Sequence, residues 1–133
     1  MLGCSNGGGL LAVSICFSYC FDHRTPASPN GANHGAEVTY VFGSLGVTFG
    51  GPPTTPRPED MKMSELMASY WTNFAKTGNP NGRGLPNWPA FTETEQRAMI
   101  FDTAPSARRL PNLELLQAVD GYYAWRRAQA GKQ

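Results

Sequence analysis

Apolar residues along this chain change their period several times, and the changes divide it into elements. Residues 12–21 (A-V-S-I-C-F-S-Y-C-F) are apolar almost without a break over strand length. They mix β-branched and aromatic side chains, which predicts a strand buried on both faces, with a buried helix as the competing reading. Asp22, His23 and Arg24 close the run. Pro26, Pro29 and Gly31 make residues 25–33 a loop. Residues 36–42 fit a short strand or a helical turn, and 46–57 form a Gly/Pro connector. From 59 to 77 the period becomes helical, with Met63, Leu66, Met67, Tyr70, Trp71 and Phe74 forming one apolar stripe. Pro58 at the entry, Glu59 and Asp60 in the first turn and Gly78 beyond the last turn mark its ends. Residues 78–82 (G-N-P-N-G) are a turn cluster, and 97–102 read as a short strand. A last helix is predicted over 112–128, with Leu115, Leu116, Val119, Tyr122 and Tyr123 as its buried face.

The Gly-rich residues 1–11 predict a loosely ordered start, leaving 12–130 as the folded portion. With 133 residues, the chain can bury one core. Charged residues amount to 16% and the formal net charge is +1. The basic excess of a nucleic-acid binder and the acidic excess of a disordered tail are both missing, so no nucleic-acid partner is expected. The pairs Arg108-Arg109 and Arg126-Arg127 read as solvated faces. Residues 10–21 fall short of the roughly 20 apolar residues of a membrane span, and no membrane anchor is expected. Cys4, Cys16 and Cys20 are an odd set without metal-ligand spacing. They are expected to be reduced and packed, and neither a metal nor a cofactor is predicted.

The chemistry concentrates between Asn33 and Gly43, where His34 sits in a Gly-flanked loop after the first apolar run. Imidazole is the side chain best matched to proton transfer near neutral pH, so an exposed histidine at the end of a sheet suits a general base. His34-Gly35-Ala36-Glu37 followed by Val41-Phe42-Gly43 resembles the catalytic-histidine segment of type B carboxylesterases, the α/β-hydrolase family of cholinesterases and para-nitrobenzyl esterases. Tyr19 to Arg24 (Y-C-F-D-H-R) is similar to the strand end that precedes that segment. Ser64 to Asn81 resembles the family's helix and G-x-P-N turn, and Leu85 to Phe91 its L-P-x-W-P-x-F stretch. The resemblance runs in order over about residues 17–128.

It implies an α/β fold, the C-terminal fragment of an α/β-hydrolase with the last strands of the sheet and the C-terminal helices, and a short helix at 36–42. It also implies a carboxylic ester hydrolase acting on small-molecule esters, with a nucleophilic serine, an acid and His34 as general base. In the family the histidine comes last of the three, so the other two are expected before residue 1 and the chain alone is expected to be inactive. Exposed sheet edges then predict self-association. Glu37 is expected to steady the loop, and His23 to be structural. The compartment is not set by these residues.

Two alternatives stay open. Gly3-Cys4-Ser5-Asn6-Gly7 satisfies G-x-S-x-G, so Ser5 is a candidate nucleophile of a small esterase, with Asp22 and His34 following in Ser…Asp…His order. That motif needs a sharp strand-to-helix turn, and only Met1 and Leu2 precede it. The other alternative is a non-catalytic interaction domain built from the same fold.

Overall fold

The computed structural model describes residues 2–6, 14–47 and 53–130. In chain order the elements are β1 (Leu2–Asn6), β2 (Ser14–Phe17), β3 (Tyr19–Phe21), α1 (Glu37–Val41), α2 (Pro58–Thr77), β4 (Arg97–Phe101), β5 (Ser106–Arg109) and α3 (Leu113–Ala130). β1 and β2 pair antiparallel. The other sheet has the order β3-β4-β5, with β3 parallel to β4 and β4 antiparallel to β5.

The apolar run expected as one strand is divided at Ser18. Tertiary hydrogen bonds make the break: the Ser18 carbonyl accepts from Met99 N–H (3.0 Å) and from the Trp88 indole N–H (2.9 Å). Next to it, the Cys16 carbonyl accepts from Phe91 N–H (2.7 Å). With its carbonyls committed to the 88–99 segment, the run turns β2 towards β1 and β3 towards β4. Residues 12 and 13 lie outside the described residues, as do 7–11 of the Gly-rich start.

Two expectations for the start of the chain need correcting. Residues 2–6 form β1, an element their composition does not predict. Cys16 is disulfide-bonded, not reduced, whereas Cys20 is free. The backbone register sets Cys4 opposite Cys16. The spacing of Cys16 and Cys20 within one run says nothing about that cross-strand neighbour.

α2 supplies the apolar layer that covers the sheet. Gly78 ends it in the left-handed conformation (φ 73°), its N–H donating to Phe74 O at 2.8 Å. Met63, Met67 and Tyr70 are buried against Phe17, Trp88, Met99 and Phe101, with Leu66, Trp71 and Phe74 half-buried beside them. Trp88 is the centre of this core. The rings of Phe17, Tyr19, Tyr70, Trp71 and Phe101 surround it with centroids 5.2 to 6.2 Å away, mostly edge-on. Asn81 fixes its backbone from both sides: Trp88 N–H donates to Asn81 Oδ1 (2.7 Å) and Asn81 Nδ2 donates to Trp88 O (2.8 Å). The turn after α2 and the L-P-x-W-P segment thus fold as one unit.

The last helix forms where predicted, but its expected buried face is exposed. Leu115, Leu116, Val119, Tyr122 and Tyr123 are all open to solvent, and α3 buries none of its residues. The ring contacts of Tyr122 are with Tyr123, Trp125 and Arg126 of the same helix. β5 was not predicted, being short and basic; it returns from β4 through a turn in which Asp102 accepts from Ala104 N–H (2.9 Å) and pairs with Arg108. No helix among the described residues is long and apolar enough to cross a membrane.

Candidate active site

β3 delivers the chain to the site at its C-terminal end. Asp22 N–H extends the parallel ladder by donating to Phe101 O (2.9 Å), after which His23 turns inward and Arg24 outward. A small turn follows, with Ser28 N–H donating to Thr25 O (2.9 Å) and to Thr25 Oγ1 (3.1 Å). His34 then occupies a tight turn closed by Ala36 N–H donating to Asn33 O (3.1 Å). Gly35 takes φ 77° in that turn, and a Cβ there would meet nothing within 4 Å. The glycine of the H-G pair is therefore required by backbone conformation and not by crowding. Val38 N–H donates to Gly35 O (3.2 Å), and α1 begins directly behind the histidine.

The His34 side chain is exposed and makes no hydrogen bond or ion pair among the described residues. It can therefore reach a group outside the chain. Glu37 steadies α1 against β3, its Oε1 accepting from Tyr19 OH at 3.4 Å. Burial and the Glu37 charge both push the Tyr19 hydroxyl up. Asp22 faces Arg24 at 3.7 Å on the surface. Ser5 lies within β1, opposite Ile15 in the register, whereas an elbow would hold it on a strand-to-helix turn. No described contact joins His34 to Asp22 or Glu37.

Behind the loop lies a second imidazole–carboxylate pair. His23 Nε2 is 2.8 Å from Asp60 Oδ1, and a carboxylate can only accept, so Nε2 carries the proton. The residue is 5% exposed and its Nδ1 is buried without a partner, so no substrate reaches it. Tyr40 OH donates to the same Oδ1 at 3.1 Å, and Arg57 donates from Nε to Oδ2 and from Nη2 to Oδ1, each at 2.7 Å. The Arg57 bonds hold the Asp60 carboxyl well below the usual range against the upward push of burial, and the His23 and Tyr40 donors add to them. Burial, then the Asp60 charge and hydrogen bond, push the Tyr40 hydroxyl up to about 12. The structural expectation for His23 fits this burial.

Reading Asp60 only as a helix-start acid missed this role, although the sequence carried a signal. Asp60 falls on the buried stripe of α2 with Met63, Ser64 and Met67, and an acid on an apolar stripe must find donors. Among the described residues no group of three or more His, Cys, Asp or Glu could hold a metal ion.

A sequence profile of the carboxylesterase family matches residues 11–118, a span that takes in β3, the His34 turn, α2 and the Trp88 segment. The chain belongs to the carboxylesterase family. It is 48% identical over 65 residues to cocaine esterase of Homo sapiens, which covers 49% of this chain and 11% of that protein. It is 38% identical over 93 residues to carboxylesterase 1C of Mus musculus, covering 70% of this chain and 16% of that protein. A solved PNB esterase superposes with a TM-score of 0.61 at 33% identity, over 76% of this chain and 20% of that one. A carboxylesterase of Geobacillus stearothermophilus gives 0.57 at 35% identity, over 71% and 20%. The α/β fold of this carboxylesterase chain is thus a fragment of an α/β-hydrolase. The chain spans about a fifth or less of the length of these relatives.

Proposed function

We propose that this chain is the C-terminal part of a serine carboxylic ester hydrolase and that His34 is its general base. The observation that carries the reading is an exposed, uncommitted imidazole on a glycine-dependent turn between β3 and α1 in a member of the carboxylesterase family. In this mechanism His34 takes the proton of a serine hydroxyl as its oxygen attacks the ester carbonyl carbon. The tetrahedral intermediate collapses, and the imidazolium returns the proton to the departing alcohol. Water then attacks the acyl-serine, gives its proton to His34, and the carboxylic acid is released as the serine is regenerated. The serine, the acid that orients His34 and the oxyanion donors come from outside these residues. The substrate class is a small carboxylic ester.

Ser5 is the weaker candidate for the nucleophile. A backbone extended within an antiparallel pair does not offer the exposed turn that activates a serine. The two readings separate in one experiment with a short-chain nitrophenyl ester and an organophosphate label. The chain alone is expected to show no turnover above control and no label on Ser5, with Ser5→Ala changing nothing. Mixing it with the N-terminal part of a carboxylesterase is expected to restore hydrolysis. Turnover by the chain alone that disappears in Ser5→Ala would overturn the proposal.

A further inference from the structure

The loop carrying His34 is held at both ends by a single carboxylate. On the entry side His23 donates to Asp60 Oδ1 at 2.8 Å. On the exit side Tyr40 OH donates to that same oxygen at 3.1 Å, and Ser64 Oγ donates to Tyr40 O at 2.6 Å. The carboxylate is itself fixed at the start of α2, where Arg57, the residue before the helix, donates to both its oxygens at 2.7 Å and its Nη2 also reaches Arg24 O at 3.4 Å. His23, Tyr40 and Asp60 are all buried, so water does not compete for these bonds. Between the two anchors the segment is different in kind. Pro26, Ala27, Pro29, Asn30, Asn33 and His34 are exposed, and the segment bonds mainly to itself, through short turns such as Thr25–Ser28, Ser28–Gly31 and Asn33–Ala36. Apart from the 3.4 Å bond of Tyr19 OH to Glu37, the bonds that tie this segment to β3 and α2 lie at its ends.

We propose that Asp60 is a positioning residue for His34: by binding His23 and Tyr40 together it sets the span and orientation of the loop that presents the base. The proposal rests on the reading of His34 as general base. A base must be held to within about 0.5 Å of its productive position, and a loop achieves that only when its ends are fixed. The buried, unpartnered Nδ1 of His23 fits the same purpose, because the ring is committed to Asp60 at the expense of its other nitrogen.

Hydrogen–deuterium exchange followed by mass spectrometry of the full chain reads the anchoring without any catalysis. The reporters are the amides of Ala36, Val38 and Phe42, each bonded within the loop or α1. Peptides over 97–109 are the internal control, since β4 and β5 are held by their own antiparallel pairing and Asp60 bonds His23, Tyr40 and Arg57 but no residue of either strand. Asp60→Asn is expected to accelerate exchange over 24–43 by about tenfold while 97–109 stays within about twofold. Tyr40→Phe, which removes one oxygen, is expected to do the same by about fivefold and covers the case in which Asp60→Asn does not fold. Equal acceleration of both regions in Tyr40→Phe, or none in 24–43, would make the cluster a general stabiliser and overturn the proposal. In an enzyme assembled with the missing part, Tyr40→Phe is expected to lower kcat with KM unchanged. If His34→Gln left that enzyme fully active, the base reading would fail while the exchange result still stood.

Discussion

Asp60 must be ionised and buried at once, and the neighbouring donors decide what that costs. Neutralising it leaves His23, Tyr40 and Arg57 facing an amide that accepts at only one oxygen. Asp60→Asn is therefore expected to destabilise the chain by about 3 kcal/mol, measured by urea denaturation. The sign of the pH dependence follows from the lowered carboxyl. Its stabilisation is complete above the ordinary carboxylate value near 4 and is lost as pH falls below it. The urea midpoint is expected to drop between pH 6 and pH 3 more steeply in the wild-type chain than in Asp60→Asn. At Gly35 the cost is conformational: Gly35→Ala meets open space but keeps φ 77°, so about 1 kcal/mol of strain is expected. The His34 turn was legible from the sequence because its glycine and its flanking motif are local. The cluster behind it was not, because His23, Tyr40, Arg57 and Asp60 meet only through the packing of β3, α1 and α2.

Elements whose signals are local were equally legible. α2 announces itself by Pro58, its acidic first turn, its apolar stripe and Gly78, and it forms within a residue of the predicted bounds. The division of the 12–21 run was hidden, since it depends on bonds from Trp88, Phe91 and Met99 that no local pattern encodes. β1 was hidden because its residues lack the alternating apolar pattern of a strand and become one by pairing with β2. Trp88 joins sheet, helix and turn, so Trp88→Ala is expected to cost about 4 kcal/mol, the value for emptying a packed aromatic site. By contrast Leu116→Ala, on the exposed face of α3, is expected to change stability by less than about 0.5 kcal/mol, although the same periodicity predicted a buried residue. Thermal or urea unfolding of the two variants side by side checks the contrast.

At the scale of the molecule, the chain presents more apolar surface than its own elements cover. β3 is an edge strand of its sheet, and α3 exposes Tyr122, Tyr123 and Trp125 together with its leucines. Concentration-dependent association is therefore expected in sedimentation velocity, and a strictly monomeric chain at all concentrations would contradict it. The chain spans about a fifth or less of its relatives, and under the proposed function a larger hydrolase would cover this surface and bring a serine to His34. The most direct test of that account is the rate of ester hydrolysis by the assembled enzyme with His34 intact and with His34→Gln. The expected result is a fall in kcat of about 10⁴-fold with little change in substrate binding, as when a triad base is removed. Unchanged hydrolysis in His34→Gln would contradict the account.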